Sequence, residues 1–440
     1  MKSNPRKAAL TGLLLVEQGI FINQVLNEIF KQHQLSEQDR GLTTELIYGT
    51  TRMRGTLDYY LKRISRRPIA KLDPEVRNIL RLGAYQILFL DRIPNSAAVN
   101  EAVKLAPTKN QRLVAGFING VLRNLIRKQQ QIKFPDLKTD PVAHISSKYS
   151  HPEWMVRRWV KRWGAEQVIK LCQFNNQPPE LHLRVNTIKV TVEELQNYFA
   201  AKGIPTRPGR FASDVLVVGE GARILRDSYF QQGYYYVQNE SSVLVGHALN
   251  PQPGEIVYDL CSAPGGKTTH LAQLMKNQGK IIAVDVTKEK IDLVKENAQQ
   301  LGISIIETKV ADAATIKLPL ADKVLVDAPC SGLGTLAHRP DIRWSKSESE
   351  IVELSQIQRR ILANAAGLVK PGGLLVYSTC TIEPEENQEN LAWFLENFPS
   401  YRLKPLPNWF PGDSCQGYVS IMPFKHRIDG FFISLLENYG

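Results

Sequence analysis

The chain has 440 residues, 43% of them hydrophobic, and a formal net charge of +12. That length argues against a single domain and fits two or three domains with cores of their own. The five cysteines, Cys172, Cys261, Cys330, Cys380 and Cys415, are odd in number and form no CxxC pair, so they suggest neither a disulfide framework nor a zinc site and fit a reducing cytosol. No apolar run approaches the ~18 residues that would span a bilayer, so no membrane partner is expected.

The charge is unevenly distributed. Residues 1–140 carry 23 Lys+Arg against 12 Asp+Glu, residues 141–236 carry 13 against 8, and residues 237–440 carry 19 against 23. A basic front attached to a mildly acidic rear suggests that the front holds a polyanion while the rear does chemistry on it.

Lys2, Arg6 and Lys7 precede an apolar run from Ala8 to Val16, but Glu17 interrupts the run and no small-residue cleavage site follows. This predicts a first amphipathic helix, and the first 140 residues read as helical throughout. Ser36 with Asp39 and Asp73 with Pro74 are helix starts, the second followed by the periodic apolar set Val76, Ile79, Leu80 and Ile87. Between two of the helices lies a basic loop, Lys62, Arg63, Arg66, Arg67 and Lys71, in which Arg63, Arg66 and Arg67 are candidate phosphate contacts. With Asp39-Arg40-Gly41-Leu42, Leu82-Gly83-Ala84-Tyr85 and Gly116-Phe117-Ile118-Asn119-Gly120, nearly this whole segment resembles the RNA-binding helical bundle of the antitermination factor NusB.

Phe134 to Asp140 reads as a linker. Ser150-His151-Pro152-Glu153 predicts a capping box for a helix with Val156, Trp159, Val160 and Trp163 on one face and the RNA candidates Arg157, Arg158, Lys161 and Arg162 on the other. The two tryptophans read as core in preference to base-stacking platforms. Strands over Leu181–Val185 and Asp214–Val218, around a helix over Val192–Lys202, predict a small α+β module. The linker helix and this module, RNA-binding on the same charge argument, occupy residues 141–236.

From Val237 onward strands and helices alternate, which predicts a mostly parallel sheet covered on both faces. Strands are expected at 255–260, 280–285, 304–310, 322–327 and 373–379, with a closing antiparallel pair near 417–422 and 430–436. Val257 to Thr269 is a strand running into a glycine turn, Gly265-Gly266, that opens a helix. Asp285 ends the next strand 19 positions after Gly266, near the ~20-residue offset at which a carboxylate reaches a ribose hydroxyl. Gly266-Lys267-Thr268 is no P-loop, because that motif needs glycine where Cys261 stands. The stretch indicates an adenosine-type cofactor and no particular reaction. Asp327, Cys330 and Cys380 all follow strand ends beside the turn, where catalytic groups of open α/β sheets collect.

The rear segment, 237–440, resembles the Sun/Fmu group of S-adenosylmethionine-dependent RNA cytosine-C5 methyltransferases. The resemblance rests on Asp259-Leu260-Cys261-Ser262-Ala263-Pro264-Gly265-Gly266-Lys267, Asp285, Asp312, Asp327-Ala328-Pro329-Cys330-Ser331, Arg339-Pro340-Asp341, Ser378-Thr379-Cys380, Pro384-Glu385-Glu386-Asn387 and Asp429-Gly430-Phe431-Phe432, with Arg184-Val185-Asn186 upstream. It implies a Rossmann-like domain with a seven-stranded sheet and S-adenosylmethionine held by Cys261, Ser262, Ala263, Pro264, Gly265, Gly266, Lys267, Asp285, Asp312 and Asp327. Cys380 is implied as nucleophile at C6 of the base, Asp327 as the partner of N3, and Cys330 as the group assisting release; Arg184 and Arg339 are candidate RNA contacts. A NusB-like front joined to this rear implies a cytoplasmic, monomeric enzyme acting on small-subunit 16S ribosomal RNA. Three alternatives stand beside it: another RNA such as tRNA, a DNA-type enzyme with Pro329-Cys330 as its nucleophile motif, and a non-catalytic RNA-binding assembly factor.

Overall fold

The computed structural model describes residues 4–107, 111–219, 224–412 and 416–440; Lys2 and Cys415 lie outside them. The chain divides into two compact units, Met1–Gln177 with Leu336–Lys346, and Pro178–Thr335 with Ser347–Gly440. Among the described residues, no helix is long and apolar enough to cross a membrane.

The first unit is helical: α1 (Pro5–Glu17), α2 (Ile22–Gln32), α3 (Glu37–Arg52), α4 (Arg54–Ile64), α5 (Pro74–Phe89), α6 (Asn95–Lys104), α7 (Gln111–Lys128), α8 (Pro141–Tyr149) and α9 (Glu153–Asn176). The expected caps form, with the Asp39 amide donating to Ser36 Oγ at 3.1 Å and the Glu75 amide to Asp73 Oδ1 at 2.9 Å. The capping box expected at Ser150 does not. Pro152 is the N-cap of α9, while Ser150 closes α8 in the left-handed region at φ 58°, and its Oγ accepts from the Gly55 amide. Apolar residues on one face of each helix, among them Ala9, Leu13, Val25, Leu46, Leu61, Ile79 and Leu122, share one core. Trp159 is fully buried and Trp163 half-buried, with α9 kinked at Gly164. The segment 336–346 is bound into this unit by Arg343. Its buried guanidinium donates to the carbonyls of Arg52, Ser150 and Asn175 and to Asn176 Oδ1.

The second unit holds two sheets. The smaller runs in the order β2-β3-β1-β4, from β1 (Leu181–Val185), β2 (Thr206–Pro208), β3 (Val215–Val218) and β4 (Tyr235–Val237), all paired antiparallel. The larger contains β5 (Ile256–Asp259), β6 (Lys280–Asp285), β7 (Ile306–Val310), β8 (Ala321–Asp327), β9 (Val369–Thr379), β10 (Tyr401–Leu403), β11 (Tyr418–Ile421) and β12 (Phe431–Asn438). Its order is β10-β12-β9-β8-β5-β6-β7, with β11 on β12, parallel from β9 to β7 and antiparallel at β12. Eight strands are present among the described residues where seven are expected, the added one being the three-residue β10. Alternate residues feed opposite faces: Val257, Leu325, Val376 and Ile433 enter one core, and Tyr258, Val324, Val326, Tyr377 and Phe432 the other. Burial on both faces makes these strands continuous apolar runs, and places the loops that follow β5, β6, β8 and β9 along one edge.

Candidate active site

The loop after β5 forms the expected glycine turn. Gly265 has φ 107°, which favours glycine, and a Cβ there would also stand a tight 3.1 Å from Val294 Cα. The turn is tied to β6: the Ser262 amide and hydroxyl each donate to Val284 O at 3.0 Å, and the Ala263 amide donates to Asp285 Oδ2 at 3.0 Å. Asp285, 7% exposed, also accepts from the Val286 amide and Lys290 Nζ. A carboxylate offers about four lone-pair positions, so Asp285 keeps capacity for a ligand hydroxyl. Asp312 is exposed, two residues beyond β7, where it accepts from the Ala314 amide.

Asp259, at the end of β5, is 1% exposed; Oδ2 accepts from Thr268 Oγ1 at 2.7 Å, while Oδ1 has no partner. Burial, reinforced by Asp327, raises its pKa to about 7. An orphaned buried carboxyl oxygen beside a left-handed glycine turn and a strand-end aspartate fits an adenosine-type cofactor. In the same turn, burial and then the charges of Asp259, Asp285 and Asp327 push the Cys261 thiol well above the ordinary range.

Cys330 lies three residues beyond β8 and Cys380 one residue beyond β9. These strands are parallel neighbours with Asp327 opposite Ser378, and that register brings Cys330 Sγ and Cys380 Sγ to 3.3 Å. Asp327 Oδ1 accepts from Ser378 Oγ at 2.8 Å, and Oδ2 pairs with Lys267 Nζ at 2.7 Å. The Lys267 ammonium lies 5.1 Å over the Phe431 ring. Burial pulls its pKa down, but Asp327, with a contribution from Cys380, outweighs burial and holds it above the usual lysine value. Cys330 is pushed well above the ordinary thiol range, first by its hydrogen bond to Cys380, then by burial and the charges of Glu386 and Asp327. Either sulfur of the pair can donate to the other.

Two supports beneath the thiols went unread in the sequence, although their residues lie in the quoted motifs. Buried Glu386 accepts from the Ser331 amide at 2.8 Å, Ser331 Oγ and Gln358 Nε2, and Gln358 Nε2 also donates to Pro329 O, which fixes both sides of Cys330. Asn387 does the same for Cys380, accepting from Thr379 Oγ1 and donating to Thr381 O at 3.0 Å. The Gly334 amide donates to Cys380 O at 3.0 Å, and the Gly430 amide to Gly334 O at 2.8 Å. Two glycines are required there because the backbones approach too closely for a Cβ.

Among the RNA candidates, Arg184 is corrected. It is 1% exposed and donates to Gln238 Oε1, Gly266 O and Thr269 Oγ1, so its side chain is taken up in supporting the glycine turn and is not a surface contact. The other eight fall in the helical unit. Arg63, Arg66, Arg67, Arg157, Lys161 and Arg339 are exposed, Arg158 and Arg162 half-buried, with Arg63 over Tyr59, Arg67 over Phe117, Arg162 over Trp163 and Arg339 over Phe21. Another grouping absent from the sequence reading joins Asp214 to His247 Nε2 at 2.8 Å and His270 Nε2 at 3.0 Å.

Residues 246–437 match the family model for 16S rRNA methyltransferase RsmB/F, residues 3–127 that of the NusB family, and residues 151–224 that of the ferredoxin-like domain of RsmF/B-like methyltransferases. The chain is 39% identical over 100% of both chains to the Bacillus subtilis (strain 168) protein named "Probable ribosomal RNA small subunit methyltransferase B". It is 32% identical to the Serratia proteamaculans (strain 568) "Ribosomal RNA small subunit methyltransferase B", over 99% of each chain. The solved structure of PH0851 matches with a TM-score of 0.85 and 32% identity over all of both chains. A NusB domain, a ferredoxin-like module and a Rossmann-like methyltransferase domain thus follow one another along the chain, and the chain belongs to the RsmB/F family of ribosomal RNA small-subunit methyltransferases.

Proposed function

We propose that the chain methylates C5 of a cytosine in small-subunit 16S ribosomal RNA through a covalent bond between Cys380 and C6 of the base. The observation that carries this reading is the pair of thiols 3.3 Å apart at neighbouring strand ends, with the Asp327–Lys267 pair beside them. S-adenosylmethionine, when bound, supplies an electrophilic methyl group. The Cys261–Lys267 backbone would hold it, with Asp285 at the ribose and Asp312 toward the adenine.

Cytosine C5 is a poor nucleophile, so activation is left to the protein. Attack by the Cys380 thiolate forms the S–C6 bond and moves an electron pair into the ring, which makes C5 enamine-like. Asp327, carrying a proton taken up as the base enters, shares it with N3 and recovers it when the S–C6 bond breaks, and the Lys267 cation 2.7 Å from it offsets the negative charge gathered there. Once C5 carries its methyl group, loss of the C5 proton to a base returns the electron pair and breaks the S–C6 bond. Cys330, held as a thiol, donates its proton to the departing sulfur. The target base has to leave its stack to enter this site.

Methyl-labelled S-adenosylmethionine, incubated with the full chain and either protein-free 16S rRNA, tRNA or duplex DNA, tests the substrate; bisulfite mapping tests the atom. Label in rRNA at one bisulfite-resistant cytosine is expected. Label confined to tRNA or DNA, or carried at a bisulfite-sensitive position, refutes the reading.

A further inference from the structure

The helical unit contains a cavity of about 660 Å³ between the start of α4, the loop after it, and α5. Its size falls within the ~300–1,000 Å³ range of ligand sites. Six cations line it, Arg54, Lys62, Arg66, Arg67, Arg77 and Arg81, against Asp58 alone. Two of the six are neutralised from behind. Arg81 pairs with Asp58 through two bonds of 2.7 Å and with Glu17, and Arg77 pairs with Glu17 at 3.1 Å. Lys62, Arg66 and Arg67 have no carboxylate within ion-pair distance among the described residues, and these three are exposed.

Arg54 differs from all of these. It is half-buried at the first residue of α4, its guanidinium 5.3 Å over the Trp344 ring, yet it makes no hydrogen bond or ion pair among the described residues. A partly withdrawn cation without an ion pair is unfavourable; Asp58 and Glu17 attract it from a distance, but burial and the repulsion of Arg81 and Arg77 outweigh them. Burial, then Arg81, depresses its pKa accordingly. Its five donors are therefore free for an acceptor that carries negative charge and enters the cavity from the side of Arg66 and Arg67.

We propose that this cavity binds a backbone phosphate of the substrate RNA, with half-buried Arg54 as the anchor and Lys62, Arg66 and Arg67 as its rim. The proposal rests on the ribosomal RNA reading above and adds a fixed contact point to it. The planar guanidinium gives a phosphate two parallel hydrogen bonds, and the Pro68-Ile69-Ala70 stretch lines the same cavity beside the adjoining sugar.

Binding of a protein-free 16S rRNA transcript to the full chain, measured against salt, tests this. R54Q is expected to weaken binding 10- to 100-fold and to lower the log–log salt slope by about 0.7, as for one lost contact to a single strand. R54K should retain the slope. R66Q, at an exposed position that folding does not depend on, should also lower the slope, which keeps the test decisive if R54Q does not fold. Unchanged affinity and slope in R54Q and R66Q, with wild-type methylation of the transcript intact, overturn the inference alone. A wild-type chain that neither binds nor methylates the transcript overturns the rRNA reading, and the inference with it. Calorimetry with inorganic phosphate and with AMP separates a second source of the same chemistry. Arg54-dependent binding of either, with RNA binding indifferent to R54Q, would make the cavity a site for a free phosphate compound and overturn the proposal.

Discussion

Gly334→Ala is a severe test of how Cys380 is held, because the perturbation can be read from the geometry. A Cβ at this position would lie 2.1 Å from Gly430 O, 2.6 Å from Gly430 C and 2.8 Å from Cys380 O. Ordinary contact begins near 3.4 Å, so the Gly430 carbonyl has to recede by more than 1 Å or the 334 backbone has to retreat. Neither motion is local. Gly334 N–H donates to Cys380 O and Gly430 N–H to Gly334 O, so both hydrogen bonds are pulled on together and the Cys380 main chain moves with them. Overpacking against backbone costs at least the upper part of the usual range of about 1–3 kcal/mol, a large fraction of a domain stability of about 5–15 kcal/mol. A displacement of about 1 Å in a reacting group costs on the order of 10²-fold in rate. The expected result is a clear fall in thermal midpoint, unchanged affinity for S-adenosylmethionine by calorimetry, and single-turnover methyl transfer slowed about 100-fold. Wild-type transfer by a stably folded G334A would refute the argument that this glycine contact positions the nucleophile.

Asp285→Ala is expected to weaken S-adenosylmethionine binding by about 1.5–3 kcal/mol, as for a lost charge-assisted hydrogen bond, and unchanged calorimetric affinity would count against the ribose assignment. Asp259→Asn tests the buried carboxyl. Its folded pKa of about 7 lies above the 3.8 of an unperturbed aspartate, so its stabilising contribution is full below that lower value and is lost as pH rises toward 7. Relative to D259N, the wild type should lose on the order of 4 kcal/mol between about pH 4 and 7, and a pH-independent difference in denaturant midpoint would disprove the shift. Glu386→Gln keeps an acceptor for Ser331 N–H and Gln358 Nε2 but puts a donor where Ser331 Oγ now donates, so that this hydroxyl has to turn round, with an expected cost of about 1 kcal/mol and slower transfer through disorder of the Cys330 loop. Equal melting and transfer rates in E386Q and wild type would remove that role.

The parts of this fold that were legible in the sequence are those encoded locally. Apolar runs marked β5, β6, β8 and β9 because both faces of these strands are buried, and the turn at Gly265 was visible because only glycine is at ease at φ 107°. Three-residue β10 was too short to carry a pattern. Ser150 failed as a cap because Pro152 takes the N-cap of α9, which leaves Ser150 free to close the preceding helix. Arg184 looked like an RNA contact because a basic residue in sequence gives no sign that its partner is a carbonyl 82 residues away. The same holds for Glu386 and Asn387, whose letters stood in a motif but whose work is done on loops from other strands. Asp214, His247 and His270 are too widely spaced for any short motif to join them.

The central claim, that two adjacent thiols act on opposite sides of methyl transfer, is tested most directly by trapping the protein–RNA bond. C380A, C330A and the double variant are each incubated with 16S rRNA and S-adenosylmethionine and run on denaturing gels. C330A should still attack and methylate, then fail to release, and so accumulate a covalent complex that survives denaturation; C380A and the double variant should form none, and C380A should transfer no methyl group. A complex formed by C380A and absent from C330A would reverse the two roles and contradict the account.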